Sequence, residues 1–192
     1  MRGELLRVTD AFAELGFARS PGTDPDRLQA RYHELARVRH PDASGGDPAA
    51  LARLNEARGI LADPAARIRH LLALECPDAK CPEKFQPDFD LFSRIGHVTR
   101  RAEDLAEKQE SARSPLAAAV ARTQAQAALD ELAENGQELD ARLRALEASL
   151  REIDSRWPKV AADELARMAD EFAFLQKWRK SVASARTRLL GG

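Results

Sequence analysis

The chain has 192 residues, of which 44% are hydrophobic, 5% aromatic and 32% charged, and its formal net charge at pH 7 is -1. A chain of this length holds one large or two small domains, and the near-neutral charge gives no general reason to expect a nucleic-acid partner. Ala, Leu, Arg and Glu are abundant, which favours helices packed through Ala and Leu over an extensive sheet. We therefore expect an all-α protein.

Neither a membrane span nor an enzyme is expected from the sequence. No apolar run approaches the length of a membrane span, and residues 1–4 begin no signal-peptide core. There is no Gly-rich phosphate loop, HExxH motif or nucleophile elbow. An acid/base pair of His40 and Asp42 would lie in an exposed loop, without the water-excluded pocket that catalysis requires. We expect a cytoplasmic, non-enzymatic protein without a cofactor.

The first clear helical pattern follows Asp24. The side chain of Asp24 caps the helix by accepting a hydrogen bond from a free N–H, and Pro25 stands where no N–H is needed. Pro41 ends the helix. The apolar residues of this segment are spaced i, i+4, i+7 and i+10, on one helix face: Leu28, Tyr32, Leu35 and Val38.

A second helix begins in the same way, with Asp47 as the cap and Pro48 as the first residue. Its expected buried residues are Leu51, Leu54, Ala57 and Leu61. The connection contains Gly45-Gly46, which supplies a flexible turn, so the two helices should pack antiparallel. The tripeptide His40-Pro41-Asp42 then lies exposed at the tip of the hairpin, where a polar triplet indicates a surface that another protein contacts.

The first of these helices is basic, with Arg27, Arg31, Arg37 and Arg39 against a single Glu34 in the same segment. Such a surface attracts an acidic partner, and the attraction weakens as salt rises. The alternative is an ordinary solvated helix face, which charge runs usually are. The adjoining tripeptide favours docking.

Two cysteines, Cys76 and Cys81, lie in a stretch containing Pro and Asp that we interpret as a linker over 75–87. A metal site would combine them with His70 or His97, but four ligands at these spacings match no common zinc signature. We therefore predict no metal site. The other interpretation is a pair of reduced or redox-sensitive thiols in a cytosolic linker.

The second half of the chain contains three apolar stripes at helical spacing. The first consists of Leu91, Ile95, Val98, Ala102 and Leu105. The second, after a cap at Ser114-Pro115, keeps close to a 3.5-residue repeat and consists of Leu129, Leu132, Leu139, Leu143, Leu146, Leu150, Ile153 and Trp157. The third consists of Leu165, Met168, Phe172, Leu175 and Val182.

Two breaks are predicted in this half. Asn135-Gly136 is expected to kink or split the second helix, and Pro158 is expected to end it. Three apolar stripes are removed from water only if their helices pack against one another, so we expect a three-helix bundle or helical hairpin with coiled-coil character.

Three stretches together resemble a J-domain over about residues 8–72. Asp10–Phe17 resembles its opening helix, His40-Pro41-Asp42 its loop, and Asn55–Arg67 its closing segment. Within the J-domain proteins, the sequence resembles HscB, the J-type co-chaperone family of iron–sulfur cluster assembly. The segments that carry this second resemblance are Tyr32–Leu35, Arg67–Leu74, Phe174–Arg179 and Leu189-Leu190.

The resemblance implies a J-type co-chaperone with a J-domain at 1–74, the linker at 75–87 and a helical client-binding domain at 88–192. J-domains dock on a DnaK-type chaperone (HscA in this family) and stimulate its ATPase. By this resemblance, the contacts would be His40, Pro41 and Asp42, aided by Arg27, Arg31, Arg37 and Arg39. The client would be the iron–sulfur cluster scaffold protein.

The client face in the resembled family is apolar and acidic and is centred on the first helix of the C-terminal domain. The residues here that would form it are Leu91, Phe92, Ile95, Phe174 and Trp178. This chain is basic where the family is acidic, and aromatic residues at helical spacing are more often core. The alternative is a J-domain adaptor whose coiled-coil arm recruits a DnaK-type chaperone to a different client.

Overall fold

The computed structural model describes residues 9–40, 46–77 and 85–191, and within these ranges every regular element is a helix. The helices are α1 (Ala11–Leu15), α2 (Pro25–Arg39), α3 (Pro48–Ala62), α4 (Pro64–Glu75), α5 (Phe89–Ser111), α6 (Pro115–Arg156) and α7 (Ala162–Gly191). The all-α prediction is confirmed.

The predicted helix starts are confirmed at the level of single hydrogen bonds. Asp24 accepts hydrogen bonds from the N–H groups of Asp26 (2.9 Å) and Arg27 (3.2 Å). Asp47 accepts one from the N–H of Ala49 at 2.9 Å. In each case Pro occupies the first turn, so an acidic cap and a residue without an N–H together satisfy the helix end.

The chain divides into two compact units. We call Met1–Lys84 with Ala148–Asp170 the N-terminal unit, and Phe85–Glu147 with Glu171–Gly192 the bundle unit. Each unit thus combines two separate stretches of sequence. The boundaries predicted from the sequence stay a prediction, and part of the stretch assigned there to the second domain belongs to the N-terminal unit.

The core of the N-terminal unit lies among α1, α2, α3 and α4, and its buried apolar residues are Ala11, Phe12, Leu15, Leu28, Leu54, Ala57, Leu61 and Leu71. The Tyr32 hydroxyl donates to Asn55 Oδ1 at 2.8 Å, and Arg58 donates to Gln29 Oε1 at 3.0 Å. Positions rising along α2 therefore meet positions falling along α3, which confirms the antiparallel hairpin.

The apolar stripe predicted for α2 is wrong at one position. Leu28 is buried and Tyr32 and Leu35 are half-buried, but 69% of the Val38 surface is exposed. The antiparallel register explains this, because it places Val38 opposite the first turn of α3. That turn offers the small side chain of Ala49 and no large apolar partner.

Residues from the far end of the sequence complete the N-terminal unit. Trp157 packs against its core. The carboxylate of Asp154 accepts a hydrogen bond from Gly22 N at 2.9 Å and another from the Ser20 hydroxyl. Arg69 pairs with Asp170 at 2.7 Å. These contacts connect residues 148–170 to α4 and to the loop between α1 and α2.

In the bundle unit, α5 packs with the bundle-unit parts of α6 and α7 around one apolar core. Its buried residues include Leu91, Ile95, Val98, Ala102, Leu105, Leu132, Leu139, Leu175, Val182 and Leu189. The three stripes predicted from the sequence supply most of these residues. The prediction of three mutually packed helices is confirmed.

The predicted break within α6 is wrong, because the helix runs from Pro115 to Arg156 without interruption. The Asn135 side-chain amide donates to the Glu131 carbonyl at 2.7 Å, and its Oδ1 accepts from Arg94 Nε at 3.1 Å. Asn135 is therefore satisfied without leaving the helix. The end of α6 lies just before Pro158, as predicted.

Candidate functional site

The first candidate site is the basic face of α2 together with the loop that follows it. Arg37 is exposed and makes no ion pair within the described parts of the chain. Arg27 is also exposed, and its guanidinium lies over the Phe17 ring, 5.5 Å from the centroid. Stacking fixes the direction of the Arg27 side chain and leaves its N–H groups available.

Two other arginines of this face have acidic partners. Arg31 donates to the Leu15 carbonyl at 3.2 Å and pairs with Glu34 at 2.7 Å. Arg39 pairs with Glu14 of α1, and both side chains are largely covered. These two arginines hold α2 against α1, and their charge is partly neutralised locally. The face is therefore less basic than its sequence indicates, and among the described residues Arg27 and Arg37 are its cations without an ion pair.

A shallow pocket of about 320 Å³ adjoins this face. Its lining residues are Gly16, Phe17, Arg27, Ala30, Arg31 and Glu34. Gly16 ends α1 with φ of 72°, a left-handed conformation that glycine adopts without strain. This sharp end places the Phe17 ring beneath Arg27.

His40 lies at the C-terminal end of α2, exposed and in an extended conformation with φ −60° and ψ 138°. This conformation is what a residue before proline prefers. Pro41 and Asp42 lie outside the described residues. The role assigned to the tripeptide stays a prediction, and the structure locates its first residue at the end of the basic helix.

A buried histidine that the sequence analysis did not select for this role holds α1. His70 of α4 is 9% exposed, and its Nε2 accepts a hydrogen bond from Ala11 N at 3.0 Å. The ring also stacks on Phe12 with centroids 5.9 Å apart. Burial lowers the pKa of His70, and Asp10 opposes this shift while Arg19 adds to it. Neutral Nε2 is the form that accepts the hydrogen bond.

A charged cluster at the start of α1 also holds this helix in place. Arg19 donates two hydrogen bonds to the Asp10 carboxylate, at 2.8 and 2.9 Å, and one to Glu75 at 2.7 Å. Burial acts to raise the pKa of Asp10, but hydrogen bonds from Arg19 and from the backbone of Ala13 and Phe12 outweigh it and lower the pKa. Asp10 therefore stays ionised as the cap of α1.

Arg67 fixes the loop between α1 and α2. Its side chain is 6% exposed and donates to the carbonyls of Pro21 (2.8 Å) and Leu61 (2.6 Å). A buried guanidinium needs such acceptors, because an unpaired buried charge is costly. The bonds from Arg67, His70 and Arg19 join residues far apart in sequence, so no local pattern reveals them.

The second candidate site is a group of aromatic side chains in the bundle unit, which we call the aromatic patch: Phe85, Phe89, Phe92, Phe174 and Trp178. The Phe92 and Trp178 rings meet edge to face, with centroids 5.1 Å apart. Phe174 lies 6.1 Å from Trp178, and Phe85 lies 5.8 Å from Phe174. Phe89 is 74% exposed and Phe92 is 43% exposed, so the patch faces solvent at α5.

Two of the five residues predicted for the client face lie elsewhere. Leu91 and Ile95 are 1% and 0% exposed and belong to the core of the bundle unit. They point inward because they occupy the helix positions that face α6 and α7. Phe92, Phe174 and Trp178 remain at the surface.

The charges on α5 are largely matched by α6. Arg94 pairs with Glu138, and Arg101 pairs with Glu131 at 2.6 Å. Backbone and Arg142 hydrogen bonds lower the pKa of Asp88, the cap of α5. These pairs bind neighbouring helices together within the bundle.

The role of the two cysteines stays a prediction. Cys76 is a half-buried free thiol, and Cys81 lies outside the described residues. Within the described ranges, no group of three or more His, Cys, Asp or Glu side chains is arranged to hold a metal ion. No helix in those ranges is both long and apolar enough to cross a bilayer.

No protein-family model matches the chain. A segment of 61 residues, 30% of this chain, is 43% identical to "Chaperone protein DnaJ 1" of Mycobacterium tuberculosis. The same length is 41% identical to "Chaperone protein DnaJ 2" of Mycolicibacterium paratuberculosis. The match spans 15% of the length of each of these proteins.

Solved structures match over most of the chain. Human co-chaperone protein HscB superposes with a TM-score of 0.57 at 17% identity, over 93% of this chain and 82% of that one. Chaperone HscB from Vibrio cholerae superposes with a TM-score of 0.56 at 19% identity, over 94% and 99%. The expected J-domain followed by a helical C-terminal region is confirmed as the fold, and so is the resemblance to HscB.

Proposed function

We propose that this chain, built on a J-domain and an HscB-like helical region, acts as a J-type co-chaperone. In this proposal, α2 and the tripeptide His40-Pro41-Asp42 dock on a DnaK-type chaperone and stimulate its ATP hydrolysis. The bundle unit binds the protein that the chaperone is to act on. The observation that carries the proposal is a basic helix that ends at His40 within the J-domain hairpin.

Electrostatics supports docking through α2. Arg27 and Arg37 are exposed cations on one helix, and a negatively charged partner surface would gain from contact with both. Arg31 and Arg39 hold α2 on α1 through the Leu15 carbonyl and Glu14. The chaperone therefore meets a braced helix, and little ordering entropy is lost on binding.

The client is proposed to bind at the aromatic patch and to be the scaffold protein of iron–sulfur cluster assembly. Phe89 and Phe92 are exposed and, with the half-buried Trp178, form an apolar surface of the kind that marks protein interfaces. Aromatic side chains are also enriched among the residues that dominate binding energy. Delivery of a client requires both units in one chain.

A second candidate is an adaptor that brings the chaperone to a different protein. The observation that favours it is the basic character of residues 91–101 of α5, where Arg94 and Arg100 are exposed close to the aromatic patch in sequence. The resembled family is acidic on this helix. A scaffold protein adapted to an acidic face would meet cations here.

The test is single-turnover ATP hydrolysis by a DnaK-type chaperone from the source organism, with the full chain and with or without the scaffold protein. We expect stimulation, and a further rise with scaffold. His40→Gln and Asp42→Asn should each abolish stimulation while the helical circular dichroism is kept. The matched control, measured without scaffold, is His97→Gln, an exposed histidine of α5 outside the J-domain, and it should leave stimulation unchanged.

The outcomes separate the proposals. Stimulation retained by both loop variants would overturn docking through the tripeptide. Stimulation that is indifferent to scaffold would keep the J-type activity and favour the adaptor. In that case the bundle unit's client is a protein other than the scaffold.

A further inference from the structure

The last turn of α2 leads directly into the tripeptide, because His40 follows Arg39, the final residue of the helix. The carbonyl groups of a last turn have no partners within the helix, and such a turn frays easily unless tertiary contacts hold it. Two residues of this turn, Arg37 and Val38, are exposed. The contacts that hold the turn therefore decide where His40 lies.

Arg39 makes such a contact with α1. Its guanidinium pairs with the Glu14 carboxylate, and the two side chains are only 27% and 18% exposed. The pair of Arg31 with Glu34 differs, because it joins two residues of one helix and its side chains are 39% and 67% exposed. A charge pair that is largely covered is screened less by water and salt than an exposed pair.

Glu14 lies on a helix that is held at both ends. At the start of α1, the N–H of Ala11 donates to His70 Nε2 at 3.0 Å. At the end of α1, Leu15 is buried and its carbonyl accepts from Arg31 Nε at 3.2 Å. The backbone of Glu14 is therefore fixed, and its carboxylate offers a cation of α2 a defined place.

Two possible roles of Arg39 predict opposite effects of Glu14. If Arg39 met the chaperone directly, Glu14 would be a competing anion, and its removal would strengthen docking on an acidic partner. If Arg39 acts through Glu14, removal of the carboxylate frees the last turn and lowers stimulation. The geometry favours the second role, because both side chains of the pair are largely covered.

We propose that Glu14 is a positioning residue for the tripeptide and acts through Arg39, an inference that rests on the proposed J-type function. Arg27 and Arg37 supply the attraction to the chaperone. The pair of Glu14 with Arg39 sets the direction in which the chain leaves α2 at His40. Without this pair the same surfaces still dock, but the tripeptide is correctly placed in a smaller fraction of the complexes. A loss of placement lowers the maximal rate, whereas a loss of attraction lowers the apparent affinity.

The test is single-turnover ATP hydrolysis by the DnaK-type chaperone over a range of concentrations of the full chain. This measurement separates maximal stimulation from the half-saturating concentration. Glu14→Gln should lower maximal stimulation at least about threefold and change the half-saturating concentration less than about twofold, because placement is lost and attraction is kept. The control, Asp170→Asn, removes the pair with Arg69 in the same unit and should leave both quantities unchanged.

A double-mutant cycle tests whether Glu14 acts through Arg39. Arg39→Gln should lower maximal stimulation about as much as Glu14→Gln does, and the double variant should be no lower than either single variant, because two residues that act as one pair have non-additive effects. Direct contact of Arg39 with the chaperone would instead make the two effects independent. It would also raise the half-saturating concentration of Arg39→Gln.

Amide hydrogen exchange of the full chain, measured without a chaperone, reports the last turn of α2 separately. The amides of residues 37–39 should exchange at least about threefold faster in Glu14→Gln than in the parent, because a fraying turn exposes its hydrogen bonds to water. The amides of residues 28–32, in the first half of α2, should exchange at the parent rate.

Four results would overturn the proposal. They are unchanged maximal stimulation in Glu14→Gln, a lower half-saturating concentration as its only effect, additive losses in the cycle, and unchanged exchange at residues 37–39. If the parent chain stimulates no DnaK-type chaperone, the proposed function fails. The exchange experiment then still decides whether Glu14 holds the turn that leads into His40.

Discussion

The N-terminal unit and the bundle unit satisfy their buried polar groups in different ways. In the N-terminal unit, Arg67 donates to Pro21, 46 positions away, and His70 accepts from Ala11, 59 positions away. In the bundle unit, the buried Thr99 hydroxyl donates to the carbonyl of Ile95 in its own helix, at 2.8 Å. The buried Asn135 amide likewise donates to the carbonyl of Glu131 in its own helix, and only its Oδ1 accepts from another helix, from Arg94 of α5. Hydrogen bonds between residues far apart in sequence fix the first unit, whereas apolar stripes along long helices hold the second unit together.

This difference follows from helix length. α1 has 5 residues and α5 has 23, and a single-turn helix is not stable without tertiary contacts. The N-terminal unit therefore needs polar contacts to position its short elements, whereas long helices meet along an apolar stripe. We expect the two units to respond differently to core, polar, pH and surface changes.

Fluorescence separates the two units, because the chain has two tryptophans, Trp157 in the N-terminal unit and Trp178 in the bundle unit. Trp178→Phe leaves a reporter of the first unit, and Trp157→Phe leaves a reporter of the second. Urea unfolding of each single-tryptophan chain gives the stability that each unit loses in a variant.

The largest effect is expected from Leu132→Ala, which removes a fully buried side chain from the seam of the bundle unit. The cavity should lower the free energy of unfolding read at Trp178 by about 3 kcal/mol. Leu116→Ala, at a position 76% exposed, is the control and should change it little. An equal loss read at Trp157 would mean that the chain unfolds as one body, and the comparison would fail.

The second-largest loss of stability is expected from Arg67→Met in the N-terminal unit. The change leaves the carbonyls of Pro21 and Leu61 without their donor and should lower the unfolding free energy read at Trp157 by about 2–3 kcal/mol. The matched control is Arg69→Met, two residues further along the same helix. It removes the exposed pair with Asp170 and should cost less than about 1 kcal/mol. Similar losses in the two variants would contradict the role given to Arg67.

A pH effect is expected in the N-terminal unit. Burial lowers the pKa of His70 below its ordinary value of 6.5, so the unfolded chain takes up a proton at a pH where the folded chain does not. Stability from neutral His70 is therefore present above pH 6.5 and falls as the pH drops below it. Asp10, with its lowered pKa, stays charged in this window.

The measurement is the urea midpoint read at Trp157 between pH 7.5 and pH 5, in the parent chain and in His70→Gln. The parent midpoint should fall as the pH drops, and that of the variant should stay nearly level. A parallel fall in both proteins would show that His70 is not the titrating group.

The smallest effect is expected from Arg142→Gln in the bundle unit. Arg142 bridges Asp88 at 3.0 Å and Glu138 at 2.9 Å, at a partly exposed position. Such pairs contribute about 0–1 kcal/mol, and salt screens them. The difference from the parent, read at Trp178, should shrink further in high salt. A loss as large as that of Leu132→Ala would contradict the view that apolar packing dominates this unit.

The features that the sequence predicted are local ones. Acidic caps followed by Pro mark the starts of α2 and α3, and apolar spacing identifies the stripes of α5 and α7. Spacing alone places Val38 in the apolar stripe of α2, but its burial depends on what α3 places opposite it. The Asn135-Gly136 pair predicts a break, but the Asn135 side chain is satisfied by Glu131 and Arg94 within the bundle.

The candidate sites likewise combine features that the sequence predicts with contacts that depend on how the helices pack. The basic residues of α2 are visible in the sequence, but the pairing of Arg39 with Glu14 depends on how α1 packs. Spacing on α5 places Leu91 and Ile95 near Phe92, and only the packed bundle shows that the two aliphatic side chains face inward. Arg67 and His70 act through partners about fifty positions away, which no pattern of spacing specifies.

The division of the N-terminal unit between two stretches of sequence has a consequence for synthesis. The loop at Ser20 and Gly22 is held by Asp154, and Trp157 completes the packing. While the ribosome is still making the segment between Lys84 and Asp170, the unit lacks these contacts for roughly 10 s at ordinary translation rates. A nascent chain therefore reaches the full packing of its N-terminal unit only after α5 and most of α6 have been made.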